Sequence, residues 1–315
     1  FQTLDDKDEC VGIYCDDQLY FDKDLFPLGL TQTWKYVPHL DQYPEVEYAN
    51  LYLEGGKLAE YLPEYLLEDW TRECDRLHSF MRSLALAKVD RHENCTYDLL
   101  PTRFLKDYCR VKNEITHYIL DQHPRPLRYR YHLAVCKMLT ELGNRMLQFD
   151  KRRLQAYLSD SNTRPLVETS AERRYLKYNQ FGTITGRLTT QKNSFPLLTI
   201  RKDLRSIVTP HNDFFIELDF NGAEARVVLG LLGQDQPRVD IHDYHRDHVF
   251  GGSITRTTAK ELFFAWLYGS RQAATTKEGK ILETFYPKDQ ILDTYWDGKK
   301  IHTPYRKEIA NVDEH

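Results

Sequence analysis

Residues 256–269 read RTTAKELFFAWLYG, and the fold expected for the chain is inferred first from this stretch. Its cations and rings, Arg256, Lys260, Phe264 and Tyr268, stand four positions apart. Such positions advance by about 40° each around a helix, so the four side chains share one broad face and can converge on one ligand. The permissive Gly269 follows. The plainer interpretation is an amphipathic helix with two surface cations and two core aromatic residues.

An apolar run lies about 40 residues earlier and ends beside a carboxylate. The run 214–220 is nearly all apolar and contains Asp219, which predicts a buried strand with a carboxylate at its C-terminal end. Residues 223–232 predict a buried helix directly after it. A carboxylate that can hold divalent metal, followed by two cations that can hold a triphosphate, is a set suited to nucleotidyl transfer.

Four stretches, in this order, resemble the motifs of family A DNA polymerases, the bacterial polymerase I type. They are TGRL at 185–188, DFNGAEAR at 219–226, DIH at 240–242 and the stretch 256–269. The resemblance covers roughly residues 175–270. It implies an α+β chain with the right-hand polymerase fold, built from thumb helices, a partial palm and fingers behind a small N-terminal α+β region.

The resemblance also divides the chain into four expected domains. They are an acidic N-terminal region (1–97), a helical thumb (98–163), a partial palm (164–224), and the fingers with the start of the return to the palm (225–315). Helices are expected at about 66–86, 104–120 and 131–147, the last two as an antiparallel pair, and short strands at 11–14 and 18–21.

The implied active site uses magnesium. Asp219 is the expected catalytic residue and binds two Mg²⁺ ions, assisted by the backbone carbonyl of Phe220. Glu224 is the expected gate against a ribose 2′-hydroxyl, which favours DNA over RNA synthesis. The other nucleotide-binding residues that the resemblance implies are Arg256, Lys260, Phe264, Tyr268 and His242, the last at the β-phosphate.

Primer–template DNA is the implied macromolecular ligand, beside a deoxynucleoside triphosphate. Arg187 is expected in the minor groove near the primer terminus. The further DNA contacts implied by the motifs are Arg201, Arg226 and Gly269. No proofreading acidic motif is recognisable before the thumb, so no 3′–5′ exonuclease is expected.

Two departures from the family pattern matter. Phe220, Asn221 and Gly222 stand where the family has Tyr-Ser-Gln, which leaves the chemistry of that loop open. The second metal-binding carboxylate of the family, on a His-Asp-Glu hairpin, has no convincing counterpart, since 313–315 come too early and in another order. We therefore expect either a fragment of a longer polypeptide, as the initial Phe1 also suggests, or a split polymerase whose palm is completed by a second chain.

Charge is distributed unevenly, although the net charge is only −4. Residues 1–100 hold 9 Lys and Arg against 21 Asp and Glu, and residues 101–210 hold 21 against 9. A basic middle third suits a nucleic-acid backbone. The alternative is that the middle third docks on the acidic first third.

Other functions remain open from the residues alone. A catalytically inert nucleic-acid-binding subunit would keep the same fold and cations. An HD-type hydrolase would use the cluster His242, Asp243, His245, Asp247 and His248 as metal ligands. Asp16 and Asp17 form an acidic pair of the kind found in nucleases and, far more often, in solvated turns.

The six cysteines show no CxxC pair, and no apolar run is long enough for a membrane span, so an intracellular, soluble protein is expected.

Overall fold

The computed structural model describes residues 1–4, 12–89, 94–158, 161, 163–165, 167, 174–192, 194–304 and 307–309. Two compact units divide the chain at 214/215, Phe1–Phe214 and Phe215–His315. The chain is mixed α and β, as predicted, with helices predominating. The expected domain boundaries at 97/98 and 163/164 lie inside the first unit, and that at 224/225 lies inside the second.

Short strands form small separate sheets in the first unit. An antiparallel sheet joins β1 (Gln2–Thr3), β2 (Ile13–Cys15) and β3 (Gln18–Tyr20), with Gln2 opposite Tyr14. The acidic pair Asp16 and Asp17 forms the β2–β3 turn, where both residues have positive φ. The remaining strands pair as β4 (Gln32–Thr33) with β5 (Glu47–Tyr48), β6 (Gln148–Phe149) with β9 (Val208–Thr209), and β7 (Tyr178–Asn179) with β8 (Thr189–Thr190).

Helices carry most of the first unit's core. They are α1 (Ala49–Tyr52), α2 (Glu64–Leu86), α3 (Thr102–Gln122), α4 (Tyr129–Asn144) and α5 (Lys151–Tyr157). The three long helices confirm the periodicity-based predictions. Helix α3 packs mainly on α2, and α4 packs on α1 and the turn Pro38–Gln42, so both helices of the predicted antiparallel pair pack chiefly on the first third of the chain.

The second unit is mainly helical. Its helices are α6 (Ala223–Leu231), α7 (Ile241–Tyr244), a π-helical turn (His245–Val249), α8 (Arg256–Leu267), α9 (Arg271–Thr275), α10 (Lys277–Phe285) and α11 (Lys288–Tyr295). A hairpin joins β10 (Ile301–His302) to β11 (Glu308–Ile309). One core forms around Phe263, Trp266 and Tyr286, against which α6, α7 and α10 pack their apolar residues.

The apolar run at 214–220 does not form the predicted buried strand. These residues are exposed and form no strand, and Leu218 is 91% exposed. Within the ranges that the structure describes, none of their backbone groups has a hydrogen-bond partner. A strand needs neighbouring strands to satisfy its backbone, and the described residues supply none here.

Five cysteines lie within the described ranges, and all are free thiols, whereas Cys10 lies outside those ranges. No described helix combines the length and the apolarity that crossing a membrane requires. Residues 313–315, weighed above as a source of the missing carboxylate, also lie outside the described residues.

Candidate functional site

Helix α8 begins at a side-chain cap and has one buried face. The hydroxyl of Thr255 accepts a hydrogen bond from the Thr258 amide, which satisfies one of the free donors at the helix start. Ala259, Phe263 and Trp266 are buried on the side that faces the core. Because these three residues are spaced by four and three positions, they lie on one face of α8, and the opposite face is open to solvent.

The opposite face of α8 carries the four residues singled out from the sequence. Arg256 and Lys260 are exposed, Phe264 is half-buried and Tyr268 is 68% exposed. The rings of Phe264 and Tyr268 stack, with centroids 5.9 Å apart and planes 12° apart. The four side chains therefore share one face, as predicted, and neither aromatic residue is a fully buried core side chain. Gly269 ends the helix with φ +76.

A tight turn at Gly222 brings the segment after Asp219 against α7. Gly222 has φ +59, and a Cβ atom there would lie 2.3 Å from Cγ2 of Ile241. Asn221 holds the same junction: its Nδ2 donates to Asp240 at 2.6 Å, and its Oδ1 accepts from the Ile241 amide at 2.8 Å. The turn thus requires a glycine, both for its backbone conformation and for the close approach.

Arg226, expected at DNA, donates its hydrogen bonds inside the unit. Its Nε donates to the Asn221 carbonyl at 2.8 Å, and its Nη1 donates to the Pro237 carbonyl at 2.8 Å. Its Nη2 donates to the Val239 carbonyl at 2.9 Å and to Asn221 Oδ1. Arg226 therefore links the turn at Asn221 to the loop at 237–239. The sequence did not predict this role.

Asp240 connects these loops to α8. Its carboxylate caps α7 by accepting from the amides of His242 and Asp243, at 2.9 and 3.0 Å. It also accepts from Arg256, through Nη2 at 2.6 Å and Nε at 3.0 Å. Hydrogen bonds, first from Arg256 and then from Asn221, hold the pKa of the Asp240 carboxyl well below its ordinary value. An Asp directly before an apolar residue is a typical helix N-cap, so the sequence could have predicted that Asp240 caps α7. It could not have predicted the pairing of Asp240 with Arg256.

His242, the expected β-phosphate ligand, is 3% exposed in this structure. Its ring packs beside Phe264, with centroids 5.8 Å apart, and its Nδ1 has no hydrogen-bond partner among the described residues. Burial lowers its pKa, and the positive charges of Arg256 and Lys260 act in the same direction. His242 thus lies near the cations of α8 as a neutral, buried imidazole.

His245 is fully buried beside His242. Its Nε2 lies 2.6 Å from the Tyr286 hydroxyl, and its ring packs on Phe263. Burial lowers the pKa of His245 to about 4. This His–Tyr pair joins α10 to the turn after α7, and sequence reasoning missed it because the partners are 41 residues apart.

The members of the HD-type cluster contact neighbouring side chains. Asp243 and Asp247 both pair with Arg246, at 2.7 Å each, while the ring of His248 packs at a tilt against that of Tyr244. In the described ranges, the structure brings together no group of three or more His, Cys, Asp or Glu side chains that could hold a metal ion.

The expected metal ligand and gate lie at the start of the second unit. Asp219 and Phe220 are exposed, and Glu224 is half-buried in the first turn of α6. Neither the Asp219 carboxylate nor the Phe220 carbonyl has a hydrogen-bond partner among the described residues. Mg²⁺ in proteins takes one or two carboxylates with carbonyl, water and phosphate oxygens, so these two groups fit part of such a site.

Two of the expected DNA contacts belong to the first unit. Arg187 is exposed in the loop before β8. Arg201 is also exposed and pairs with Asp203, its Nε donating at 3.2 Å.

Comparison of the chain with protein-family models, with curated proteins and with solved structures finds no match.

Proposed function

We propose that the chain carries the nucleotide-binding part of a DNA polymerase of the family A type, as one portion of a split or truncated enzyme. The observation that carries this proposal is the solvent face of α8. Arg256, Lys260 and the stacked pair of Phe264 and Tyr268 occupy it together. Two cations beside an open aromatic platform match a ligand with a polyphosphate at one end and a base at the other.

The proposed roles follow the chemistry of each group. Arg256 and Lys260 bind the phosphates of a deoxynucleoside triphosphate, and Phe264 and Tyr268 lie against the sugar and the base. Glu224 excludes a ribose 2′-hydroxyl. His242 reaches the phosphates only if its ring leaves the buried position.

Asp219 and the carbonyl of Phe220 would hold magnesium. Bound there, the metal would lower the pKa of the primer 3′-hydroxyl and neutralise charge on the leaving pyrophosphate. The described residues place no second carboxylate with Asp219 in a metal-binding group. As the resemblance implies, the proposal includes further polypeptide that supplies the second carboxylate.

The exposed segment 215–220 supports that part of the proposal. Alternate residues Ile216, Leu218 and Phe220 would line one apolar face of a strand, with Glu217 and Asp219 on the other. All are exposed. An exposed segment with this alternating pattern, beside the proposed metal ligand, is what a palm strand would be without its neighbouring strands.

Primer extension tests the proposal directly. The purified chain is assayed on a primed template with Mg²⁺ and deoxynucleotides, alone and with the protein that co-purifies with it from its source. Extension in either assay that Asp219→Ala abolishes, while DNA affinity stays within about twofold, supports the enzyme. Asp235→Ala, an exposed acid of the same unit, is the matched control. DNA binding without extension in every assay would favour the inert binding subunit.

A further inference from the structure

Five donors surround the carboxylate of Asp240. They are Nε and Nη2 of Arg256 at 3.0 and 2.6 Å, Nδ2 of Asn221 at 2.6 Å, and the amides of His242 and Asp243 at 2.9 and 3.0 Å. A guanidinium that donates two hydrogen bonds to one anion is an arrangement that also binds phosphate oxygens. In this chain the anion is an internal carboxylate.

The contact uses the Nε–Nη2 edge of Arg256, which is one of the two edges a guanidinium can offer to a bidentate anion. A phosphate that takes this edge must displace the carboxylate. A phosphate that takes the other edge remains close to an ionised carboxylate and is repelled by it. Either way, Asp240 opposes binding of a polyanion at Arg256.

We propose that Asp240 is an internal competitor for Arg256 and that it sets the affinity of this site for polyphosphates. Arg256 exchanges from Asp240 to the ligand when a triphosphate binds. The inference rests on the proposed function, in which Arg256 and Lys260 hold the phosphates. It adds a residue that weakens binding and so favours ligands with several phosphate groups, which can contact Lys260 as well.

The competitor stays charged under all ordinary conditions, because the hydrogen bond from Arg256 keeps the pKa of Asp240 well below its usual range. Asp243 provides an internal comparison. Its carboxylate lies 3.9 Å from Arg256 Nε, beyond hydrogen-bond distance, and pairs with Arg246 at 2.7 Å. It therefore places a similar charge near Arg256 without occupying the guanidinium.

The test is calorimetric titration of the 315-residue chain with sodium tripolyphosphate, without metal and at low salt. Asp240→Asn keeps a capping side chain and removes the charge. We expect it to bind the probe about tenfold more tightly, the scale of one charge-assisted contact. We expect Asp243→Asn to change affinity by less than about twofold, since it breaks no hydrogen bond to Arg256 and removes only a partly exposed ion pair at 3.9 Å. Asp240→Ser, which also caps a helix, repeats the experiment should the Asn variant fold poorly.

A double variant makes the assignment specific. In an Arg256→Ala background, Asp240→Asn should no longer increase affinity, because the two residues act through one contact. Unchanged or weaker binding by both Asp240 variants would overturn the inference, as would an equal gain from Asp243→Asn. If Arg256→Ala and Lys260→Ala leave tripolyphosphate binding intact in the otherwise unchanged chain, the proposed function itself fails, which is a separate outcome.

Discussion

Single residues determine how the loop after Asp219 meets α7. Gly222 adopts a left-handed backbone and leaves no room for a Cβ atom against Ile241. Gly233, in the same unit, has φ +66, but no described atom lies within 4 Å of the position that its Cβ would take. The two glycines therefore separate the effect of backbone strain from the effect of close packing.

We expect Gly222→Ala and Gly233→Ala each to lose about 1–2 kcal/mol from left-handed strain. Gly222→Ala should lose about 1–3 kcal/mol more, because its methyl group overpacks the contact with Ile241. Hydrogen exchange of the α6 and α8 amides measures both losses as free energies of opening. Equal losses would show that the turn can relax away from α7.

His245 should make the second unit sensitive to acid. Its pKa is about 4 in the folded chain against an ordinary 6.5, so between these values the unfolded chain binds a proton that the folded chain does not. Stability therefore falls as pH decreases through this window, by about 2 kcal/mol at pH 5 relative to neutral pH.

Urea unfolding of wild type and His245→Gln at pH 7.5 and pH 5.0 measures this contribution. The variant cannot take up a proton, so it should lose about 2 kcal/mol less than wild type between the two pH values. His248→Gln, at an exposed position on the same turn, should behave as wild type does. An unchanged pH dependence in His245→Gln would contradict the assignment.

At the scale of elements, the segment 215–220 is exposed along its whole length. Its backbone lacks partners within the described chain, and Ile216, Leu218 and Phe220 are 73%, 91% and 81% exposed. An exposed apolar segment with unpaired backbone groups can pair with a strand of another chain. In the proposed enzyme these would be strands of the completed palm, and without them copies of the chain should associate with one another.

We expect sedimentation velocity to show concentration-dependent association of the wild-type chain, and Leu218→Lys to reduce it, since a charge on an edge strand opposes pairing. Leu28→Lys is the matched control, because Leu28 is 94% exposed but lies in the first unit. Equal effects of the two substitutions would assign the association to general hydrophobicity rather than to this segment.

At the scale of the whole molecule, part of the charge asymmetry is internal. Lys137 pairs with Asp41 at 2.5 Å, Arg125 pairs with Glu47, and the ring of His132 lies 3.3 Å from Glu54. The basic middle third thus does contact the acidic first third, which was the alternative to nucleic-acid binding. The pairs of Lys137 and Arg125 reduce the number of cations that remain to contact DNA phosphates.

If the proposed DNA binding holds, the affinity for primer–template duplex should fall steeply with salt. Arg187→Ala should make the slope of log K against log salt less negative by about 0.9, the value for one cation fewer at the DNA. Arg125→Ala should leave the slope unchanged, because its guanidinium pairs with Glu47 and packs on the Tyr129 ring. Fluorescence anisotropy over a salt series measures both. Equal slope changes would exclude a specific contact at Arg187.

Local patterns in the sequence were enough for the long helices. Residues 256–267 form the predicted helix, and its four conspicuous residues share its solvent face, because a repeat of three to four residues determines which side of a helix is buried. Gly269 likewise has the positive φ that its residue type permits. These features depend on neighbours within a few positions, so the residues themselves specify them.

Only the tertiary structure decided which groups meet across longer separations. Arg256 pairs with Asp240, and His245 contacts Tyr286, although no sequence periodicity relates the two members of either pair. His242 is buried, which no local pattern predicts. The exposure of Leu218 is the clearest case. An apolar run predicts a buried strand, but burial also needs other segments to cover it, and a linear pattern does not encode where those segments lie.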